Sequence, residues 1–309
     1  MTAILKTEHL SHRYASTWAI RDINIEIAQS GIVGLLGSNG AGKSTTMNII
    51  CGVLNQTEGN VFINGIDLRK NPEEAKKQIG FLPQNPPLYT DLTIDEYLTF
   101  CAHLRLIEKN KIRSAVEEAK ERCSLGHFST RLIKNLSGGY RQRVGIAQAI
   151  IHKPKLVVMD EPTNGLDPNQ LIEARKLIRD IAIEHSVLLS SHILSEINLL
   201  CKEIIMIESG RMVFSDSMDA FNNYVQSKAI LLRMDNPPAK TEIVKVPGVT
   251  QVDVLSEKQY RVYFDGSPEE VTDRLITASV EQGWKIKEIG PDKGLLDDVF
   301  KQLSSQSPQ

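Results

Sequence analysis

A glycine-rich stretch early in the chain constrains its fold more than any other feature. Residues 37–44 read Gly-Ser-Asn-Gly-Ala-Gly-Lys-Ser, which matches the phosphate-loop pattern G-x-x-x-x-G-K-[ST]. Glycines let such a loop wrap around phosphates with its N–H groups pointing inward, and the dipole of a following helix adds attraction. The apolar run Gly31–Leu36 precedes the loop, and a helix is predicted from Lys43 to about Cys51. We therefore expect the chain to bind ATP.

Individual loop residues have expected roles. The Lys43 ammonium is expected to reach the β and γ phosphates, and the Ser44 hydroxyl to bind Mg²⁺. The residues expected to cradle the phosphates are Gly37, Ser38, Asn39, Gly40, Ala41, Gly42, Lys43, Ser44 and Thr45.

Polar residues follow several predicted strands. The apolar strand that begins near Lys155 ends in Asp160 and Glu161, two carboxylates that are costly at a buried strand end unless they are used. Asp160 is expected to hold Mg²⁺, directly or through water, and Glu161 to polarise the attacking water. His192 follows a neighbouring strand and is a candidate to bond the γ phosphate. Gln84, which follows another strand-like run, is a candidate to reach the metal or the water. Together they predict a hydrolytic site.

The order of predicted elements indicates an α/β fold. Strands at 155–160, 187–191 and 203–207 alternate with helices at about 171–183 and 193–201, which predicts a mostly parallel sheet. Residues 93–150 are mostly helical, and Thr93 with Glu96 has the pattern of a capping box. After about Tyr224 the pattern of predicted strands and helices changes to that of a small α+β domain. It has strands at 249–255, 260–264 and 284–289 and helices near 269–282 and 295–303.

Composition excludes some classes of protein. The formal net charge is −2, so the chain lacks the basic footprint of a nucleic-acid-binding protein. The four cysteines form no CxxC pair, which makes disulfide and zinc frameworks unexpected. No signal-peptide pattern and no apolar run near the ~20 residues of a membrane span is present. We expect a cytoplasmic protein whose role in transport, if any, needs another polypeptide as the pore.

The segment Leu136-Ser137-Gly138-Gly139-Tyr140 precedes a helix expected to start near Arg141. Ser137 has the residue type of a helix cap, and glycines let an anion approach the helix N-terminus. With the phosphate loop, Gln84, the acid pair, Gly165-Leu166-Asp167-Pro168 and His192, this segment resembles the ATP-binding subunit of ABC transporters. The resemblance covers about residues 1–220.

The resemblance implies a P-loop NTPase fold of the ABC ATPase type, with a mixed sheet and a helical subdomain at about 90–150. It implies that two ATP-binding subunits, identical or different, pair head to tail. Ser137, Gly138 and Gly139 of one subunit would contact the γ phosphate held by Lys43 of the other. Asp167 would lie at the dimer junction, and Tyr14 would stack on adenine. Ser38 and Tyr140 depart from the residues frequent in the family, proline and glutamine.

The resemblance extends to domain organisation and function. It implies an ATP-binding domain at 1–222, a small α+β accessory domain at 225–304 and a disordered tail at 305–309. The ending Leu296-Asp297-Asp298-Val299-Phe300 is similar to that of drug, antibiotic and gliding-motility exporter subunits. A dimerisation or regulatory role and a merely structural one remain alternatives for this domain.

The implied function is ATP hydrolysis that powers a separate membrane permease, for export, at the cytoplasmic face of the membrane. The alternative is an ABC-family ATPase that acts on a macromolecular machine without a membrane partner. A ribosome-associated protein would usually carry two sets of motifs, and a chromosome ATPase would need a long coiled coil between Lys43 and Asp160. A non-hydrolysing regulatory module is disfavoured by the acid pair and His192.

Overall fold

The computed structural model describes residues 2–225 and 229–292. The chain divides into two compact units, Met1–Asp219 and Ala220–Gln309. Three sequence predictions lie outside the described residues: the helix at 295–303, the acidic-aromatic ending at 296–300 and the tail at 305–309.

The first unit contains eleven described strands. In chain order they are β1 (Leu5–Tyr14), β2 (Thr17–Ile23), β3 (Glu26–Ile27), β4 (Gly31–Leu36), β5 (Glu58–Ile63), β6 (Ile66–Asp67), β7 (Ile79–Leu82), β8 (Leu156–Asp160), β9 (Ser186–Ser191), β10 (Glu203–Glu208) and β11 (Arg211–Ser217). Its helices are α1 (Lys43–Ile50), α2 (Pro72–Lys77), α3 (Ile94–Leu104), α4 (Lys109–Arg122), α5 (Gly138–Ile150), α6 (Pro168–Ile181) and α7 (Leu194–Leu200). The division between the units falls within α8 (Met218–Val225).

A six-stranded mixed sheet positions the polar strand ends. Its order is β11-β10-β4-β9-β8-β7, in which only β11 runs antiparallel to its neighbour. The sheet confirms the predicted mixed α/β class and the neighbouring positions of β8 and β9. Because the carboxyl ends of parallel strands lie at one edge, the residues that follow β4, β7, β8 and β9 come together there.

A second, antiparallel sheet packs on the first across a shared core. Its order is β2-β1-β5-β6, and β3 pairs with β1. Alternate residues of the β2–β3 stretch, Ile23, Ile25 and Ile27, are all buried, as their spacing predicts. They join one apolar cluster with Ile49 of α1 and Val158 of β8, so the core holds α1 against both sheets.

The helical block α3–α5 is inserted between β7 and β8. Its entry is fixed by Thr93, whose hydroxyl accepts from the Glu96 N–H while the Glu96 carboxylate accepts from the Thr93 N–H. This capping box was predicted. The predicted start of α5 near Arg141 is wrong, because the helix begins at Gly138. Glycine is unfavourable in helices, which explains the late prediction, and a Cβ atom at Gly139 would lie 2.7 Å from the Gln170 Cδ atom, so a larger residue there would displace that side chain.

Over residues 229–292, the second unit is a four-stranded antiparallel sheet with two helices. Its elements are β12 (Ala229–Met234), α9 (Lys240–Val244), β13 (Val249–Ser256), β14 (Gln259–Phe264), α10 (Pro268–Gln282) and β15 (Ile286–Pro291). The sheet order is β13-β14-β12-β15. Leu232, Val262, Leu275 and Trp284 lie in its apolar core. The α+β character was predicted, whereas β12 was missed.

Candidate active site

The phosphate loop lies between β4 and α1, as predicted. Gly40 and Gly42 have φ values of 83° and 110°, a region that side chains disfavour. A Cβ atom on Gly42 would also lie 2.5 Å from the Ile20 Cγ2 atom. Helix α1 begins at Lys43, so its free N-terminal N–H groups face the loop and attract anions.

The Lys43 side chain is held by the loop that precedes it. Its ammonium group donates to the carbonyl oxygens of Gly37 at 2.9 Å and Ser38 at 3.0 Å, and only 5% of the residue is exposed. Burial lowers the pKa of Lys43, and the carboxylates of Glu161, Asp160 and Glu208 oppose that shift. The amine is thus fixed at the mouth of the loop beside the strand-end acids.

Ser190 hydrogen-bonds to both Asp160, the last residue of β8, and Glu161, which follows it. Its hydroxyl donates to Oδ1 of Asp160 at 2.5 Å and accepts from the N–H of Glu161 at 2.9 Å. Glu161 has a φ of 48°, an uncommon value for a residue with a side chain. Ser190 was not predicted as a site residue, although its position on the strand beside β8 is the signal that could have found it.

The Glu161 carboxylate is the point on which four side chains converge. His192 Nδ1 lies 3.0 Å from Oε1, and Lys43 Nζ lies 3.9 Å from the same oxygen. Gln84 Nε2 donates to Oε2 at 3.3 Å, and Asn164 Nδ2 donates at 3.1 Å. Two amide donors, one imidazole nitrogen and one ammonium group therefore surround this acid, of which only 10% of the side chain is exposed.

This acid borders a polar cleft of about 550 Å³. The lining residues are Ala19, Asn39, Gly40, Gly42, Lys43, Ser44, Thr45, Gln84, Glu161, Asn164 and His192. All but Ala19 and Asn164 were predicted. Asp160 is buried behind the cleft and does not line it.

Other predicted residues lie away from the cleft lining. Tyr14 is 54% exposed, and its ring meets the His12 ring edge-on at 4.7 Å. Ser137 is the N-cap residue of α5, but its side chain makes no capping hydrogen bond. Ser137 and Gly138 are exposed, whereas Gly139 is buried. Asp167 caps α6 by accepting from the N–H groups of Asn169 and Gln170.

Ser38 and Tyr140, the two residues that depart from the family pattern, each contact neighbouring side chains. Ser38 donates its hydroxyl to Glu208 at 2.8 Å, and its N–H, which proline would lack, donates to the same carboxylate at 3.3 Å. The Tyr140 ring meets the Phe128 ring edge-on at 4.6 Å, and the Arg143 guanidinium lies 5.5 Å from the Tyr140 ring centre. Tyr140 is thereby packed within the helical block.

The oxygen donors that line the cleft or lie directly behind it suit a hard cation. Ser44, Gln84 and Asp160 offer hydroxyl, amide and carboxylate oxygens, the ligands that Mg²⁺ prefers. Within residues 2–225 and 229–292, no group of three or more His, Cys, Asp or Glu side chains could hold a metal. A small number of protein ligands is compatible with Mg²⁺, because substrate phosphates and water usually complete the coordination of that ion.

The fold and the cleft define a P-loop ATPase, and comparisons with known proteins specify its family. The model of the ABC transporter family matches residues 20–164. The bacitracin transport ATP-binding protein BcrA of Bacillus licheniformis is 32% identical over 98% of each chain. The linearmycin resistance ATP-binding protein LnrL of Bacillus subtilis (strain 168) is 33% identical over 68% of each chain.

A solved dimeric bacterial ABC transporter cassette has 25% identity and a TM-score of 0.63 over 69% of this chain and 98% of that one. The chain belongs to the family of ABC transporter ATP-binding proteins. It is the ATP-binding subunit of an ABC transporter, and it hydrolyses ATP. None of the helices in the described part of the chain has the length and apolarity of a membrane span.

Proposed function

We propose that two copies of this chain close head to tail on two Mg–ATP molecules and drive export through a separate integral membrane permease. The observation that carries the proposal is the convergence of His192, Gln84, Asn164 and Lys43 on Glu161. An acid held by several donors at a phosphate loop is suited to orienting a water molecule for attack on the γ phosphate.

The proposal gives each candidate residue in or near the cleft a chemical role. Lys43 and the loop N–H groups bind the β and γ phosphates, and Glu161 orients the attacking water. His192 holds Glu161 and bonds the γ phosphate. Ser44, Asp160 and Gln84 would hold Mg²⁺, which supplies positive charge to the phosphates when bound. Tyr14 stacks on the adenine.

A second subunit completes each site in this proposal. Ser137 and Gly138 are exposed at the start of α5, and Ser137 has no capping bond there. Its hydroxyl and the first N–H groups of α5 are thus suited to bind the γ phosphate held by the other copy. Asp167 lies at the junction of the two copies. A single copy is expected to be a poor ATPase.

The permease is proposed to dock beside Gln84. The helical block and the adjoining loop form a depression of about 630 Å³ whose lining includes Pro87, Tyr89, Phe100 and Leu104. Tyr89 is 57% exposed and Leu104 is 65% exposed, which suits an apolar partner surface. This partner would hold the subunit at the cytoplasmic face of the membrane. Export is supported by the similarity to BcrA and LnrL.

The domain roles are part of the proposal. The ATP-binding domain spans 1–222, with the helical subdomain at about 90–150, and an accessory domain spans 225–304. Every residue that lines the cleft belongs to the first unit. The second unit is therefore proposed to influence assembly or regulation without contributing to the chemistry.

The Glu161→Gln variant tests the proposed function. It should bind ATP with normal affinity, nearly stop releasing phosphate and form an ATP-dependent dimer in size-exclusion chromatography with light scattering. Near-normal hydrolysis by this variant would overturn the assignment of Glu161. A matched control is Glu173→Gln, which changes an exposed acid outside the cleft and should leave turnover unchanged.

A further inference from the structure

Glu196, in the first turn of α7, is a buried acid that the proposed chemistry does not use. Only 6% of the residue is exposed. Its Oε2 atom accepts from the Thr163 hydroxyl at 2.5 Å and from the Ser191 hydroxyl at 3.4 Å, and Oε1 lies 3.5 Å from Arg175 Nη2. A buried carboxylate is costly unless it is bonded, so this one is held by partners from three segments.

Two of these partners adjoin the candidate catalytic residues. Thr163 lies two residues after Glu161 in the loop that leads to Asp167. Ser191 directly precedes His192, and its hydroxyl also accepts from the N–H of Ile193 at 2.9 Å. One carboxyl group therefore joins the segment that carries Glu161 to the segment that carries His192.

Side-chain hydrogen bonds fix the position of the loop that follows Glu161. Its backbone bonds are local, such as Asn164 N–H to the Glu161 carbonyl at 3.1 Å, so they fix its shape but not its position. Gln142 attaches it to α5 through the Pro162 carbonyl at 2.9 Å. Thr163 attaches it to α7 through Glu196.

We propose that Glu196 is a positioning residue that keeps Glu161 and His192 at bonding distance during ATP hydrolysis. The inference rests on the roles proposed for Glu161 and His192. Neither Glu196 nor Thr163 lines the cleft, so their removal should affect turnover and not nucleotide binding. Partners one contact away from a reacting group typically change activity by about 10–100-fold when removed.

Two variants test the proposal in the full-length chain. Glu196→Ala removes the carboxyl group, and Thr163→Val removes only the hydroxyl at nearly constant size. Each should lower kcat by about 10–100-fold, with KM and the affinity for fluorescent ATP nearly unchanged. The double variant should be little worse than Glu196→Ala alone, because both changes break the same link. Thr163→Val decides the matter if Glu196→Ala fails to fold.

The control is Lys120→Met, which removes an equally buried charge in the helical block. Lys120 bonds Asp95 at 2.6 Å and Glu117 at 2.8 Å and should affect thermal stability without changing kcat. If Glu196→Ala and Thr163→Val likewise lose only stability, the positioning role is wrong. The Glu161→Gln variant distinguishes a failure of the proposed function from a failure of the role proposed for Glu196. Rapid turnover by that variant overturns the proposed function as well, whereas an inactive Glu161→Gln beside a normal Thr163→Val overturns only the role of Glu196.

Discussion

His192 and Glu161 form a direct pair, with Nδ1 of the imidazole 3.0 Å from Oε1 of the carboxylate. The two residues directly follow neighbouring parallel strands, β9 and β8, and are 31 positions apart in sequence. The pairing follows from the sheet, because residues that follow adjacent parallel strands emerge at the same edge. The contact gives Glu161 a fixed orientation toward the cleft.

Replacing His192 should impair turnover more than binding. His192→Ala removes the contact with Glu161 and the proposed bond to the γ phosphate. We expect kcat to fall by about 100-fold or more, with the affinity for fluorescent ATP nearly unchanged. Phosphate-release kinetics at saturating Mg–ATP would measure the effect. His103→Ala, at an exposed position on α3, is the matched control, and equal kcat for the two variants would refute the role of His192.

Replacing Lys43 should impair binding itself. Lys43→Ala removes the buried ammonium group that the loop carbonyls hold beside Glu161. Most of the nucleotide affinity should disappear in a fluorescent-ATP titration, because the phosphates lose a charge-assisted partner. Lys111→Ala, at an exposed lysine of α4, should bind ATP normally. Unchanged affinity in Lys43→Ala is the outcome that contradicts the role of the loop.

Asp160 should determine the requirement for magnesium. Asp160→Asn keeps an acceptor for the Ser190 hydroxyl but removes the negative charge behind the cleft. A higher Mg²⁺ concentration should then be needed for half-maximal phosphate release, because a carboxylate attracts the ion more strongly than an amide does. A titration with Mg²⁺ at fixed ATP measures this. The same half-maximal concentration in both proteins would remove Asp160 from the proposed metal site.

His152 should make the stability of the first unit depend on pH. Burial, followed by the charge of Arg105, lowers the pKa of His152 to about 4 from its ordinary value of 6.5. The unfolded chain therefore takes up a proton at a higher pH than the folded chain. The free energy of unfolding should fall as the pH decreases from 6.5 to about 4, by up to roughly 3 kcal/mol.

The His152→Gln variant tests this pH dependence. Glutamine removes the titration, and its amide can replace the ring as a donor to the Ile79 carbonyl, which lies 3.0 Å from Nε2. Denaturation curves across the pH window should show a smaller pH dependence for His152→Gln than for the wild type. His103→Gln should behave like the wild type. Equal slopes for wild type and His152→Gln would contradict the account.

The sequence identified the parts of the site that depend on local order. The phosphate loop needs only consecutive glycines, a lysine and a hydroxyl, and Asp160 and Glu161 follow an apolar run that can be recognised alone. His192 and Gln84 could be proposed because parallel strands end at one edge. All four side chains predicted at the strand ends lie near each other in the structure, through the contacts of Ser190 and Glu161.

The parts that were missed depend on contacts distant in sequence. The order of residues places Ser190 on the strand beside β8, but it does not indicate that one hydroxyl would bond both Asp160 and Glu161, or that Glu196 would be buried against Thr163. The packing of Tyr140 on Phe128 likewise follows from how the helical block folds. Helix α5 was placed too late because its first two residues are glycines, which are typical of a loop.

The central claim is that each ATP is bound by the loop of one copy and by Ser137 of the other. It is tested most directly by mixing Lys43→Ala with Ser137→Arg. Each variant alone lacks one half of both sites, whereas a mixed dimer contains one complete site. Phosphate release by an equal mixture should rise well above the sum of the separate rates, up to about a quarter of the wild-type rate for random pairing. A mixture in which differently tagged variants co-purify as mixed dimers but show only the summed rates would contradict a site shared between two copies.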